Sequence, residues 1–105
     1  MLKPVTSKPG LTPKQRAYLK GLANPISHRY LLGKSEIDEG FLVSIDNALE
    51  AKELIKVGLL QSCTLKPKDV ADELSSRLNC FVVQIIGHVV VLYRRSQKHP
   101  VIELE

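Results

Sequence analysis

The residues of this chain best suited to chemistry begin with Gly33-Lys34-Ser35, which stands between an apolar run and a helix start, as the end of a phosphate-binding loop does. A nucleotide-binding loop needs a further glycine five residues earlier, so that its amides wrap the phosphates, and His28 occupies that position. Glu36 and Ile37 also separate the lysine from the following helix. Both features argue against nucleotide hydrolysis. His28, His88 and His99 share no zinc-site spacing with one another or with the cysteines, and Cys63 and Cys80 lack the paired C-x-x-C form. Nothing near Cys63 marks it as an activated nucleophile. Asp38, Glu39, Asp46 and Glu50 are spaced along a helix exterior and read as a solvated face. No catalytic constellation, metal site or cofactor motif emerges, so a binding protein is expected rather than an enzyme. The remaining chemistry is a lysine-bearing loop at a helix N-terminus, where amides, the helix dipole and Lys34 can approach a sugar-phosphate chain.

Charge points the same way. The formal net charge of +4 is modest, but residues 1–35 hold seven bases, Lys3, Lys8, Lys14, Arg16, Lys20, Arg29 and Lys34, and no acid. Residues 36–82 hold nine acids against five bases. A basic N-terminal third suits a polyanionic partner. Aromatic residues make up only 5% of the chain and are scattered, so backbone and shape recognition is favoured over an aromatic stacking platform.

The elements that must position these residues follow from local patterns. The first ten residues, with Pro4, Pro9 and Gly10, read as a mobile leader. Thr12, Pro13 and Gln15 form a capping box with proline at the first helical position, which starts a helix that ends at Asn24-Pro25. A short extended run over 29–32 leads into the loop. Asp38 stands as the N-cap of a second helix with Phe41, Leu42, Ile45, Ala48 and Leu49 along one face. In the strand that follows, Ile55, Val57 and Leu59 alternate with Lys56 and Gly58, predicting one buried face. Pro67 opens a third helix with Val70, Ala71, Leu74 and Leu78 as its stripe and Asn79 as a left-handed terminator. Two β-branched runs flank Gly87-His88, which predicts a type II′ hairpin. The order α-β-α-β-α-β-β implies a four-stranded mixed sheet packed against helices, with the first three strands parallel and the last antiparallel.

A third of the chain is Leu, Ile, Val or Phe, enough for one core, and no stretch is long and apolar enough for a membrane span. A soluble protein of a reducing, cytoplasmic compartment is expected, with Cys63 and Cys80 as free thiols. The final Leu104-Glu105 is open to reading as a vector-derived addition.

Leu11-Thr12-x-Lys14-Gln15, Leu32-Gly33-Lys34, the run from Ile45-Asp46-x-Ala48-Leu49 to Glu53-Leu54-Ile55-Lys56-Val57, and Val83-Gln84-Ile85-Ile86-Gly87 with Val91-Leu92-Tyr93-Arg94 closely resemble the bacterial YhbY-type proteins. These belong to the CRM (chloroplast RNA splicing and ribosome maturation) domain family. The resemblance covers residues 11–96, leaving 1–10 as leader and 97–105 as tail. It implies a non-enzymatic RNA-binding domain similar to the C-terminal domain of translation initiation factor three, acting on ribosomal RNA in precursors of the large subunit. In the family the loop is a GxxG similar to that of KH domains. Here Gly33 and Lys34 are kept, but Glu36 stands at the second glycine, where its charge and Cβ oppose phosphate approach. Either the basic helix carries more of the affinity, or Glu36 turns outward and Gly33, Lys34 and Ser35 make the contact; the second is expected. By position, Lys14, Arg16, Lys20 and Arg29 match the family's basic first helix and strand, and Arg94-Arg95 its basic sheet end. The competing expectation, from a different class, is an adaptor that docks on a ribosomal protein through the acidic second-helix face. A monomer is expected in either case.

Overall fold

The computed structural model describes residues 10–104, so the expected leader falls almost wholly outside the described residues. Three helices, α1 (Pro13–Ala23), α2 (Glu39–Lys52) and α3 (Pro67–Leu78), alternate with strands β1 (Tyr30–Leu32), β2 (Leu54–Leu59), β3 (Phe81–Ile86) and β4 (Val89–Tyr93). The sheet order is β1-β2-β4-β3. β1 and β2 are parallel, and β4 pairs antiparallel with both β2 and β3. The fold is therefore α/β with a mixed sheet, and β4 inserts between two strands that run the same way.

Local chemistry explains the boundaries. Thr12 and Gln15 form a reciprocal capping box, each side chain bonding the other's amide at 3.0 Å. The Asp38 carboxylate accepts the Phe41 amide at 2.8 Å and starts α2. Asn79 ends α3 with φ 54°, one of the few non-glycine residues at home in left-handed geometry. Gly87 has φ 57° while His88 keeps a negative φ, the pattern of a type II′ turn.

The two sheet faces are covered unequally. On one, α2 and α3 bury Leu42, Ile45, Leu49, Val70 and Leu74 against Ile55, Val57, Leu59, Val90 and Leu92. On the other, α1 sets Leu19 and Ala23 over Leu54, Val83, Val91 and Tyr93. The alternation in β2 is as expected, but its second face is not open throughout. Leu54 is buried beneath α1 and Gly58 beneath neighbouring side chains, leaving only Lys56 half exposed. The expectation of a single buried face is thereby corrected: a helix that precedes the strand by thirty residues covers the Leu54 end of the other side.

A β-bulge in β3 sets Val83 and Gln84 opposite Val91, and Arg16 of α1 donates to the carbonyls of Val82 and Val83 at 2.7 Å each. Cys80 is buried and Cys63 half-buried, both as free thiols.

Candidate nucleic-acid interface

The loop at residues 33–36 leaves β1 where the β1/β2 ladder is extended by the Leu60 amide donating to the Leu32 carbonyl at 2.9 Å. The Ser62 hydroxyl donates to the Gly33 carbonyl at 2.9 Å. A Cβ on Gly33 would lie 3.1 Å from Ser62 Oγ and 3.2 Å from Leu60 Cδ1, so close packing, rather than positive φ, favours glycine here. Ile37 is buried and anchors the loop's far end. Lys34, Ser35 and Glu36 are exposed between these two anchors.

Lys34 does not stand free. Its Nζ lies 2.5 Å from Asp38 Oδ2, and the other oxygen of that carboxylate caps α2 through Phe41. The hydrogen bond and charge of Asp38 raise the Lys34 pKa, and the same hydrogen bond together with the Phe41 amide lowers that of Asp38. The α2 helix end is occupied by its own cap, the expected Asp38, and an incoming phosphate must draw Lys34 away from Asp38 or share it. The lysine is 69% exposed, so this exchange takes place in water and is inexpensive.

The other basic residues separate into groups. Arg29 is exposed on the segment feeding β1, and its Cδ lies 3.5 Å from the position a Cβ on Gly58 would take. On α1, Lys14 and Lys20 are six residues apart and so roughly 120° apart around the helix, with Lys14 beside Glu103 and Leu104. Arg16 bonds the β3 bulge. Arg94 lies at the opposite end of the sheet, where Nη1 meets Asp46 Oδ1 at 2.7 Å and the Leu78 carbonyl at 3.0 Å, while Nη2 meets the Asp46 carbonyl at 3.0 Å. Arg95 is exposed at that same far end. Arg29 thus stands just before β1 and Gly33, Lys34 and Ser35 just after it, whereas Arg94 and Arg95 follow β4 at the opposite end of the sheet.

The second-helix carboxylates were expected to form a solvated face, and three of the four instead hold internal partners. Asp38 caps α2, Asp46 binds Arg94, and Glu50 accepts the Ser96 hydroxyl at 2.7 Å and the Gln97 and Lys98 amides at 3.1 Å. Glu53, only 1% exposed, accepts the amides of Ser96, Val101 and Ile102 at 2.8 Å each. Burial alone would raise the Glu53 pKa, but those three amides outweigh it and leave it lowered. Among the described residues no group of three or more His, Cys, Asp or Glu is placed to hold a metal ion, and no helix is long and apolar enough to cross a membrane.

The family model of the CRS1/YhbY (CRM) domain matches residues 11–94, from the approach to α1 through the end of β4. The chain belongs to the CRM family. Among its relatives, the probable RNA-binding protein YqeI of Bacillus subtilis is 38% identical over 90% of this chain and 98% of its own length. An RNA-binding protein of Haemophilus influenzae is 36% identical over 84% of this chain and 89% of its own. The solution structure of SAV1595 from Staphylococcus aureus superposes with a TM-score of 0.75 at 41% identity, covering 90% of this chain and 99% of that one. The CRM match ends at 94, so the docked segment over 96–102 lies beyond it.

Proposed function

We propose that this CRM protein is a non-enzymatic RNA-binding factor of the cytoplasm that acts as a monomer on ribosomal RNA in precursors of the large ribosomal subunit. The observation that carries the reading is the exposed Lys34-Ser35 segment, held between the packed Gly33 and the buried Ile37. A rigidly anchored loop with a mobile cation suits backbone contact, because the main chain can approach phosphate while the lysine swings to it. The names of the Bacillus and Haemophilus relatives support RNA as the polyanion. Lys14 and Lys20 add diffuse positive charge from α1. Arg16 and Arg94, whose guanidinium groups hold backbone carbonyls, serve the fold in this reading. The adaptor alternative loses much of its surface, since Asp46 and Glu50 are engaged internally.

Binding that neutralises three to five phosphates gives a log affinity falling with log salt at a slope of roughly −2 to −4 on single strands. The test is sedimentation of a cell extract with and without ribonuclease. The protein should travel with large-subunit precursors and be released by digestion, and Lys34→Glu should weaken both this association and RNA affinity in vitro. Association that survives digestion and is indifferent to Lys34→Glu would overturn the reading in favour of a protein partner.

A further inference from the structure

We infer that the half of the sheet's α1 face left uncovered is a base platform for unpaired RNA, with the strand's phosphates following Arg29 and Lys56. Register places Leu31, Gly58, Val89 and Ile86 in one row across all four strands. α1 covers the other half of this face, over Leu54, Val83, Val91 and Tyr93, and beyond its reach Leu31 is 56% and Ile86 51% exposed. Gly58 shapes the row. A Cβ there would stand 3.2 Å from Leu31 Cδ2 and 3.5 Å from Arg29 Cδ, so glycine allows both side chains to lie across the sheet. Lys56, two residues back along β2, points to the same face.

Charge selects the occupant. Of the strand residues on this face none is acidic, and among the described residues neither Arg29 nor Lys56 forms an ion pair, unlike Lys34 and Arg94. A contiguous apolar row beside unpaired cations fits a polyanion that also presents apolar faces. Single-stranded RNA does so, since its bases can be splayed out, whereas a duplex hides base faces in its stack. The guanidinium plane of Arg29 can itself stack on a base. The platform is continuous with the loop, because β1 carries Leu31 and ends at Leu32, immediately before Gly33. This inference rests on the RNA-binding reading above and adds strandedness to it.

The test compares the full chain's affinity for a short oligouridylate, an abasic ribose-phosphate strand of equal length, and an RNA hairpin. The unaltered protein should prefer the oligouridylate to the abasic strand by about tenfold or more. The double variant Leu31→Ser/Ile86→Ser, exposed at both sites, should lose that preference and keep its affinity for the abasic strand. Arg29→Gln/Lys56→Gln should weaken both and flatten the salt slope by about 1 to 1.5. Equal binding of intact and abasic strands by the unaltered protein, or an undiminished preference in the serine variant, overturns the platform while leaving RNA binding in place. Failure to bind any of the three RNAs overturns both. Amide chemical shifts of the unaltered protein give a check free of variants: oligouridylate should move Leu31, Gly58, Val89 and Ile86, and changes confined to the loop and α1 would sink the platform.

Discussion

The two ends of the sheet use similar residues to opposite purposes. Around β1, cations stand on the short segments that flank it with their charged groups in water: Lys34 shares one half-exposed carboxylate, and Arg29 lies over a glycine with no ion partner. At the other end Arg94 is held by the Asp46 side chain and two carbonyls, while Glu50 and Glu53 draw residues 96–102 back onto α2. A basic residue contributes to an interface only if its hydrogen-bonding capacity is left over after folding. Counting charge along the chain does not separate the two cases; counting partners does.

The comparison is broken most severely at Glu53. This residue has φ 68° as the C-cap of α2, and its carboxylate satisfies three amides. Glu53→Ala leaves those amides unpaired and keeps the strained backbone, and should cost on the order of 3 kcal/mol of unfolding free energy. Glu53→Gly loses the same carboxylate but relieves the backbone, and should recover about 1 kcal/mol relative to alanine. Urea unfolding of the two variants measures both. If alanine and glycine are equally destabilising, the positive φ carries no strain.

A smaller effect contrasts two arginines. Arg94→Ala removes a charged pair and two carbonyl contacts from a side chain 21% exposed, and should cost about 1–2 kcal/mol while the salt slope of RNA binding stays the same. Arg29→Ala should change stability by less than about 0.5 kcal/mol and reduce the magnitude of that slope by about 0.7. Thermal melts paired with salt titrations show whether the two roles separate as stated. Exchange of the roles, with Arg94→Ala flattening the slope, would place the interface at the far end of the sheet.

Acid should loosen the far end. The Gln97 amide, the Ser96 hydroxyl and the Lys98 amide hold the Glu50 pKa down from the ordinary 4.5 to about 2. A depressed carboxylate stabilises the docked segment fully above the unfolded value, and that contribution is lost as pH falls from about 4.5 through about 2. Glu53 is lowered as well and adds in the same direction. Hydrogen exchange at Gln97, Lys98 and Val101 should therefore quicken in that window and stay flat, after correction for intrinsic rates, from pH 5 upward; rates unchanged across the window would mean that these carboxylates do not hold the segment.

Much of this was legible because it is local. The capping box at Thr12, the Asp38 cap, the Asn79 terminator and the Gly87 turn each depend on a few consecutive residues, and the loop was found from Gly33-Lys34. What was not legible depends on partners distant in sequence. Glu53 bonds residues 43 to 49 positions away, and Arg16 bonds carbonyls 66 and 67 positions away. No spacing in the chain marks those pairs. Gly58 and Lys56 were placed on the right side of β2 by alternation, but that α1 would stop short of them could not be read without the register.

The smallest expected effect bears directly on the near end. Asp38 both starts α2 and holds Lys34, through different oxygens of one carboxylate. Asn at this position keeps an acceptor for the Phe41 amide and is an equally good cap, so Asp38→Asn should leave stability unchanged in a thermal melt. It removes the charge that competes with phosphate for Lys34, and RNA affinity measured at low salt should rise about two- to threefold, with the gain shrinking as salt screens the pair. A fall in affinity would mean that Asp38 holds Lys34 in its binding position rather than away from it. The loop would then be preorganised by its salt bridge, and the contrast between free and committed cations would have to be redrawn at Lys34 itself.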